Sequence, residues 1–450
     1  MSGSRDLTDI ADRVIGWAGD GEAVEAVVGR SRHTEVRAYD GDVESLSSAE
    51  SMGVGIRVVQ GDRQGFAYAA TFDDDVLAET LAEARDNAGF ASPDPHVGLA
   101  EPDDVAVPEL DLYRPSLLEV PTERKVALAL ELEADVRAAD ERISGVESAE
   151  FVDAMGESCV ASTTGIRSES ASTACYVAVS CLATADDQTQ TGFGFSVGRE
   201  LDDLVPSDAR DDAVKRATRL LGATKPSSTR TTIVLDPYVT AMVTGIIGST
   251  LSGESVLKGR SPFADRLGEE VASVQVTLVD DPTNPLAYTA KATDGEGLAS
   301  RRNPLITEGT LNTFVHNAYT ARWAGTASTG NAVRGGFKST PGVGCRALAL
   351  APGELDQPAL LRQVGEGVLI SSVIGMHSGV NPISGDFSTG AEGLRITDGE
   401  VGAPLREFTI ASTLQRMLRD VEAVGSDIDW LPMSAAGVSL VIRDITISGT

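Results

Sequence analysis

The chain has 450 residues, too many for one ordinary core, so two or three domains are expected. Asp and Glu total 67 against 37 Lys and Arg, a net charge of −30 whose field repels phosphate backbones and argues against a nucleic-acid partner. With 42% hydrophobic and 23% charged residues this is a folded globular composition, and the acidity reads as solubility.

The opening "MSGSRDLTDIADRVIGWAGDG" is charged early and lacks the apolar centre of a secretory signal. Leu7, Ile10, Ala11, Val14 and Ile15 instead share one helical face. "EAVEAVVGRSRHTEVRAYDGDVESLSSAES" predicts two short strands meeting at turn residues. In "GVGIRVVQGDRQGFAYAAT" apolar and polar residues alternate on either side of "QGD", the pattern of a hairpin. "DDDVLAETLAEARDNAG" predicts a helix opened by Asp, with Leu77, Leu81, Ala84 and Ala88 on one face and Gly89 as its stop. Residues 1–90 are therefore expected to form an α+β domain.

Residues 91–121 carry Pro93, Pro95, Pro102, Pro108, Pro115 and Pro121, a density that forbids continuous helix or central strand. They read as a linker or crossing arm. A helix is predicted over 122–142, then antiparallel hairpins to about residue 199 around "TTG", then a capped helix in "PSDARDDAVKRATRLLGA". That gives a central domain, 122–226. From 227 to 450 short strands and glycines predominate, with one helix expected near "TIASTLQRMLRDVEAVG". The fold class is α+β, with a β-dominated C-terminal domain and no fixed-period repeat. The best apolar run, "YVTAMVTGIIGSTL", is short of the ~20 residues that span a bilayer and is broken by glycine, so no membrane partner and a cytoplasmic location are expected.

Chemistry is sparse. Cys159, Cys175, Cys181 and Cys345 contain no C-x-x-C pair and read as small buried hydrophobes. His33, His96, His316 and His377 include no i, i+4 pair, and H-E-x-x-H and the phosphate-binding loop motif are absent. "HSGVNPISGDFSTGAEG", residues 377–393, gathers a histidine, an aspartate, a glutamate, an asparagine and three serines among glycines. Ser384 and Ser388 lie near Asp386 and His377 in sequence. A nucleophile, however, needs a base within hydrogen-bond reach and an oxyanion donor, and the strained serine elbow is missing. Glycines that admit close backbone approach, with Asp and Ser serving turn amides, explain the stretch without catalysis.

That stretch, followed by "TDGEVGAPLREFTIASTLQRMLRDVEAVGSD", resembles the C-terminal region of the TldD/PmbA family of modulator-of-gyrase peptidases. "SPFADRLGEEVAS", "DDPTNPLAYTAKATDGEG" and "HNAYTARWAGTASTGNAVRG" support it, as does "YDGDVESLSSAESMGVGIRVVQGDRQGFAYAATF" near the start. In the TldD-type branch a helix carries H-E-x-x-x-H, two zinc ligands and a general base, and a C-terminal cysteine is the third ligand. The equivalent stretch here is "TGIIGSTLSGE", with Thr244 and Ser249 at the histidine positions and Gly245 at the glutamate. No cysteine follows Gly425. The resemblance therefore implies the PmbA/TldE-type branch: no metal on this chain, zinc on a TldD-type partner, a heterodimer, and unfolded peptides as substrate. His377, Asn381, Ser384 and Asp386 are candidates for lining the peptide cleft or the subunit interface. Asp294, Glu296, Asn331 and Arg334 also lie in family-like segments, where charged and amide residues beside glycines usually serve turns. The competing expectations are an independent hydrolase built on His377 with Ser384 or Ser388, and a homodimeric peptide-binding scaffold without chemistry.

Overall fold

The computed structural model describes residues 3–450. Its first half is one six-stranded antiparallel sheet made of two like units. Helix α1 (Gly3–Gly16) precedes strands β1 (Glu22–Tyr39), β2 (Asp42–Gln60) and β3 (Arg63–Ala69), and α2 (Asp74–Phe90) follows them. The second unit repeats that order with α3 (Thr122–Ala139), β4 (Ile143–Ser162), β5 (Arg167–Ala185), β6 (Gln188–Gly198) and α4 (Pro206–Thr218). The sheet order is β3-β2-β1-β4-β5-β6, so β1 and β4 join the units back to back. Residues expected to belong to separate N-terminal and central domains thus share one unbroken sheet. No sequence repeat announces this duplication, because the two units share the order of their elements and not the residues or the burial pattern along each strand.

The first strands are far longer than the two short ones expected. β1 and β2 run 18 and 19 residues and meet at Asp40-Gly41, both with positive φ, the turn that matches the twist of paired strands. The outer half of β2, residues 42–52, is exposed on both faces and shows no alternation, which hides it as strand. Asp73 caps α2 through its side chain, which accepts from the amides of Asp75 and Val76.

Side-chain alternation decides which face meets what. Val24, Ala26, Val28, Val36 and Ala38 of β1 point with Cys159, Cys175 and Cys181 toward the four helices, and these three cysteines are free buried thiols. Val27, one residue out of phase, faces the other way and packs with Val160, Ile166, Leu298 and Ala318. The C-terminal half is therefore laid against the helix-free face.

The proline-rich stretch is a crossing arm, fixed rather than slack. Arg322 donates to the carbonyls of His96 (2.9 Å) and Leu99 (3.0 Å), and the Tyr319 hydroxyl donates to Asp94 at 2.9 Å. Arg301 pairs with Asp103 at 2.6 Å.

The C-terminal half is built on β7 (Thr229–Leu235), β8 (Gly367–Ile374), β9 (Asp386–Thr397), β10 (Glu400–Thr413), β11 (Val421–Val424) and β12 (Leu440–Ser448). Their order is β10-β9-β8-β7-β12-β11, with β7 and β8 parallel. A further β10–β12 pairing closes five of the strands into a small barrel. Between β7 and β8 the chain forms α5 (Pro237–Thr250) and a four-stranded sheet from segments at 278–280, 303–307, 310–311 and 348–350. The helix expected in "TIASTLQRMLRDVEAVG" shrinks to Leu414–Arg419. Thr409 to Thr413 instead continue β10, paired with β9, because their β-branched side chains fit the ladder. No helix among the described residues is long and apolar enough to cross a membrane.

Candidate functional site

Helix α5 begins where Asp236 caps it, accepting from the Tyr238 amide, while Arg216 of α4 and Arg219 just past its end approach the same carboxylate at 3.8 and 3.6 Å. Its inner face, Val239, Ala241, Val243, Thr244 and Ile247, is buried in the barrel-side core. Its outer face carries Met242, Ile246 and Ser249 into a cavity of 620 Å³ whose opposite wall is Val373, Gly375, Met376, His377, Val380 and Pro382.

Sequence reasoning thus named two residues, Ser249 and His377, that the fold brings to one cavity. Thr244 does not join them. It lies about 140° around an ideal helix from Ser249, and it is buried while Ser249 is exposed. Ser249 turns its hydroxyl back to donate to the Ile246 carbonyl at 2.7 Å. Zinc does not fit this set: one hydroxyl is in the core, Gly245 has no side chain, and the other hydroxyl is bonded to its own helix. Among the described residues no group of three or more His, Cys, Asp and Glu side chains could hold a metal ion.

The loop after β8 closes the cavity's rim. Met376–Gly379 is a single helical turn, and Asn381 Oδ1 then accepts from the amides of Ile383 (2.9 Å) and Ser384 (3.3 Å). Ser384 Oγ donates to Asp386 Oδ2 at 2.7 Å, so its partner is a carboxylate two residues away and not His377. Asn381, Ser384 and Asp386 form the exposed turn just beyond the cavity wall; Ser388 is also exposed on β9. Gly379 answers why glycine recurs here: a Cβ on it would stand 2.2 Å from the Ser388 carbonyl oxygen. The stretch is a close-packed corner, with no nucleophile–base pair in it. Chemically the cavity offers an apolar floor with one imidazole and one hydroxyl at its edge, flanked by exposed Ile374 and Ile383. That surface suits an apolar side chain of another chain.

Asp294, Glu296, Asn331 and Arg334 do more than serve turns. Asp294 does hold its own loop, Oδ1 accepting from the amides of Glu296 and Leu298 and Oδ2 from Ala332. Burial first, and the Glu296 carboxylate second, push its carboxyl up to about 7 against those three donors. Glu296 and Arg334 enter a buried ion cluster with the sheet. Arg57 on β2 bonds Glu25, its cross-strand partner on β1, at 2.6 Å and reaches Glu296 at 3.4 Å; Arg334 bonds Glu25 at 2.6 Å. Burial opposes the charge on Glu25, yet the two guanidiniums together hold its carboxyl below the ordinary range. Asn331 donates to Asp280 at 2.6 Å and accepts from Asn303 at 2.9 Å. Sequence carried one signal for this cluster: Glu25 and Arg57 stand alone inside apolar strand runs, "AVEAVV" and "GIRVV", where an unpaired charge is costly.

Three domain models of one family match the chain in order. They are the PmbA/TldA metallopeptidase domain 1 over residues 24–88, central domain over 115–221 and C-terminal domain over 228–449. The metalloprotease PmbA of Escherichia coli O157:H7 is 27% identical over 435 residues, 96% of this chain and 93% of that protein. The crystal structure of a candidate modulator of a DNA gyrase from Thermotoga maritima superposes with a TM-score of 0.90 at 25% identity, covering 98% of this chain and 99% of that one. The structure of TldE from Thermococcus kodakarensis shares the fold, with a TM-score of 0.88 at 23% identity over 99% of each chain.

Proposed function

The chain belongs to the PmbA/TldD metallopeptidase family, and from that premise we propose that it is the metal-free, PmbA/TldE-type subunit of a heterodimeric zinc peptidase acting on unfolded peptides. One observation carries the proposal. The chain matches the family along nearly its whole length, yet the helix positions that would hold zinc and base are Thr244, Gly245 and Ser249 on α5. No step of peptide hydrolysis is assigned to these residues. Their helix instead supplies one wall of an apolar cavity that holds a peptide side chain or a partner's.

One further feature supports an obligate partner, and another the setting. Residues 42–52 of β2 form an unpaired sheet edge, with Val43, Leu46 and Met52 exposed along it, and such edges are normally covered. The four free cysteines agree with a reducing, cytoplasmic setting.

The test has two arms. The chain purified without contact with a nickel column should hold zinc well below one atom per molecule by mass spectrometry, and should leave casein uncut. Mixed with a TldD-type chain, it should raise chelator-sensitive casein cleavage above that of the TldD-type chain alone. Near-stoichiometric zinc, or a mixture no more active than the single TldD-type chain, would sink the proposal.

A further inference from the structure

A second cavity lies between the helix-free face of the large sheet and the C-terminal half. It has a volume of 550 Å³ and takes its walls from β1, β4 and β5 on one side and from the segments around residues 291–295 and 334–338 on the other. Its charge is one-sided. Of the acids lining it, Glu157 is already paired with Arg30, and Asp294 has both oxygens on backbone amides. Arg334 is likewise matched by Glu25. Lys291 and Arg346 also line the cavity, and among the described residues neither makes an ion pair or a side-chain hydrogen bond to a carboxylate. Arg346 Nε is buried without any hydrogen-bond partner. The two cations are close enough to feel one another: burial first, and the charge of Arg346 second, draw the Lys291 ammonium down to about 8. Asp280, the nearest other acid, is bonded to the amides of Arg346 and Ala347 and to Asn331.

Two partly buried like charges, neither in an ion pair, with Asp294 and Asp280 acting on Arg346 only through space while hydrogen-bonded elsewhere, raise the free energy of the fold, and a bound anion would lower it. The wall opposite them narrows the class of anion. Ser168, Ser170 and Ser172 line it from alternate positions of β5, at the period of an extended chain, Ser168 already bonded to Thr293 and Ser170 to Ser158, while Val27, Val160 and Phe337 give an apolar floor. The space is too large for a simple ion alone.

We propose that this cavity binds the carboxylate of an extended ligand, with Lys291 and Arg346 as the charge clamp and β5 as the wall along which the ligand lies. That the ligand is a peptide rests on the peptidase-subunit reading; the carboxylate clamp does not. Calorimetry on the full chain, alone, would use N-acetylated hexa-alanine with a free C-terminus, the same peptide amidated, an amidated peptide with a central Glu, and citrate. The free-carboxylate peptide should bind, and the amidated hexa-alanine should bind at least about tenfold more weakly. Lys291→Met and Arg346→Met should each reproduce that loss, and Lys291→Arg should retain binding, which separates lost charge from lost folding. Binding by the free terminus only identifies the ligand group as a chain end, and equal binding by the Glu peptide identifies an acidic side chain; the clamp stands in both. Citrate binding without peptide binding would keep the clamp and remove the peptide reading. No carboxylate binding at all, or binding unchanged in both Met variants, overturns the proposal.

Discussion

Asp294 is the residue whose chemistry is most altered by its surroundings. Its carboxyl rises from an ordinary 3.8 to about 7, through burial and then the charge of Glu296. The folded state therefore holds a proton that the unfolded state releases near pH 4. Stability attributable to Asp294 is unaffected below about pH 4, falls as pH rises toward about 7, and stays reduced above it. A shift of about three units corresponds to at most about 4 kcal/mol. In Asp294→Asn this titration is gone, although the amide opposes the Ala332 N–H and lowers stability at every pH. The measurement is the difference in unfolding free energy between wild type and variant across that range, from urea titrations. It should shrink by up to about 4 kcal/mol as pH rises from about 4 to about 8; parallel profiles would contradict the assignment. At this scale the sequence was legible only in part. Ser249 and His377 meet at one cavity because a helix wall and a strand end happen to face each other, and spacing alone gives no such distance. The Asn381, Ser384 and Asp386 turn follows from local hydrogen-bonding chemistry, which sequence does show. Glu296 and Arg334 were read as turn residues because their partners, Glu25 and Arg57, lie more than two hundred residues away.

Among elements, the two helix–strand–helix units dock their last helices by the same device. A Cβ on Gly65 of β3 would stand 2.0 Å from the Ala84 carbonyl oxygen of α2, and one on Gly194 of β6 would stand 1.9 Å from that of Ala209 on α4. Alanines on the facing helices, Ala84 and Ala88 in one unit and Ala209, Ala213 and Ala217 in the other, let the backbones meet. Gly194→Val should push α4 off the sheet and destabilise the protein by about 1–3 kcal/mol, the usual cost of overpacking. Gly145→Ala, on a strand position with open space around it, is the control and should change the urea midpoint little. Equal effects from the two substitutions would mean that α4 is not held by this contact. Helices α1 to α4 were legible from their apolar faces, helped by the Asp73 cap of α2 and by Pro206 in the first turn of α4. Strand lengths were not, since residues 42–52 bury neither face and so leave no period to read. The short helix Leu414–Arg419 was overextended for the opposite reason: Leu414, Met417, Leu418 and Val421 keep helical spacing beyond the point where strand pairing takes over.

For the whole molecule the question is how a sheet of two like units and a barrel-bearing half behave as one body. The interface contains the cluster of Glu25, Arg57, Glu296 and Arg334, two charges from each half, all nearly excluded from water. Such a cluster adds little net stability over apolar packing when intact, but breaking it strands a buried charge at a cost of about 3–5 kcal/mol. Arg57→Met does this while filling the space, leaving Glu25 and Glu296 to share Arg334. The loss falls on the contact between halves rather than on either core, because the apolar clusters of the sheet and the barrel are separate. The expected outcome is therefore a change in cooperativity, beyond a lower midpoint. Trp17 reports on the sheet half, while Trp323 and Trp430 report on the C-terminal half. Single-tryptophan versions of wild type should unfold in urea with coincident midpoints, and the same versions carrying Arg57→Met should separate into two. If the variant loses stability but its tryptophan probes still coincide, the arm at residues 91–114, held by Arg322, Arg301 and Tyr319, together with the packing of Val27, Val160 and Ile166 on Leu298 and Ala318, is sufficient to couple the halves without the charge cluster.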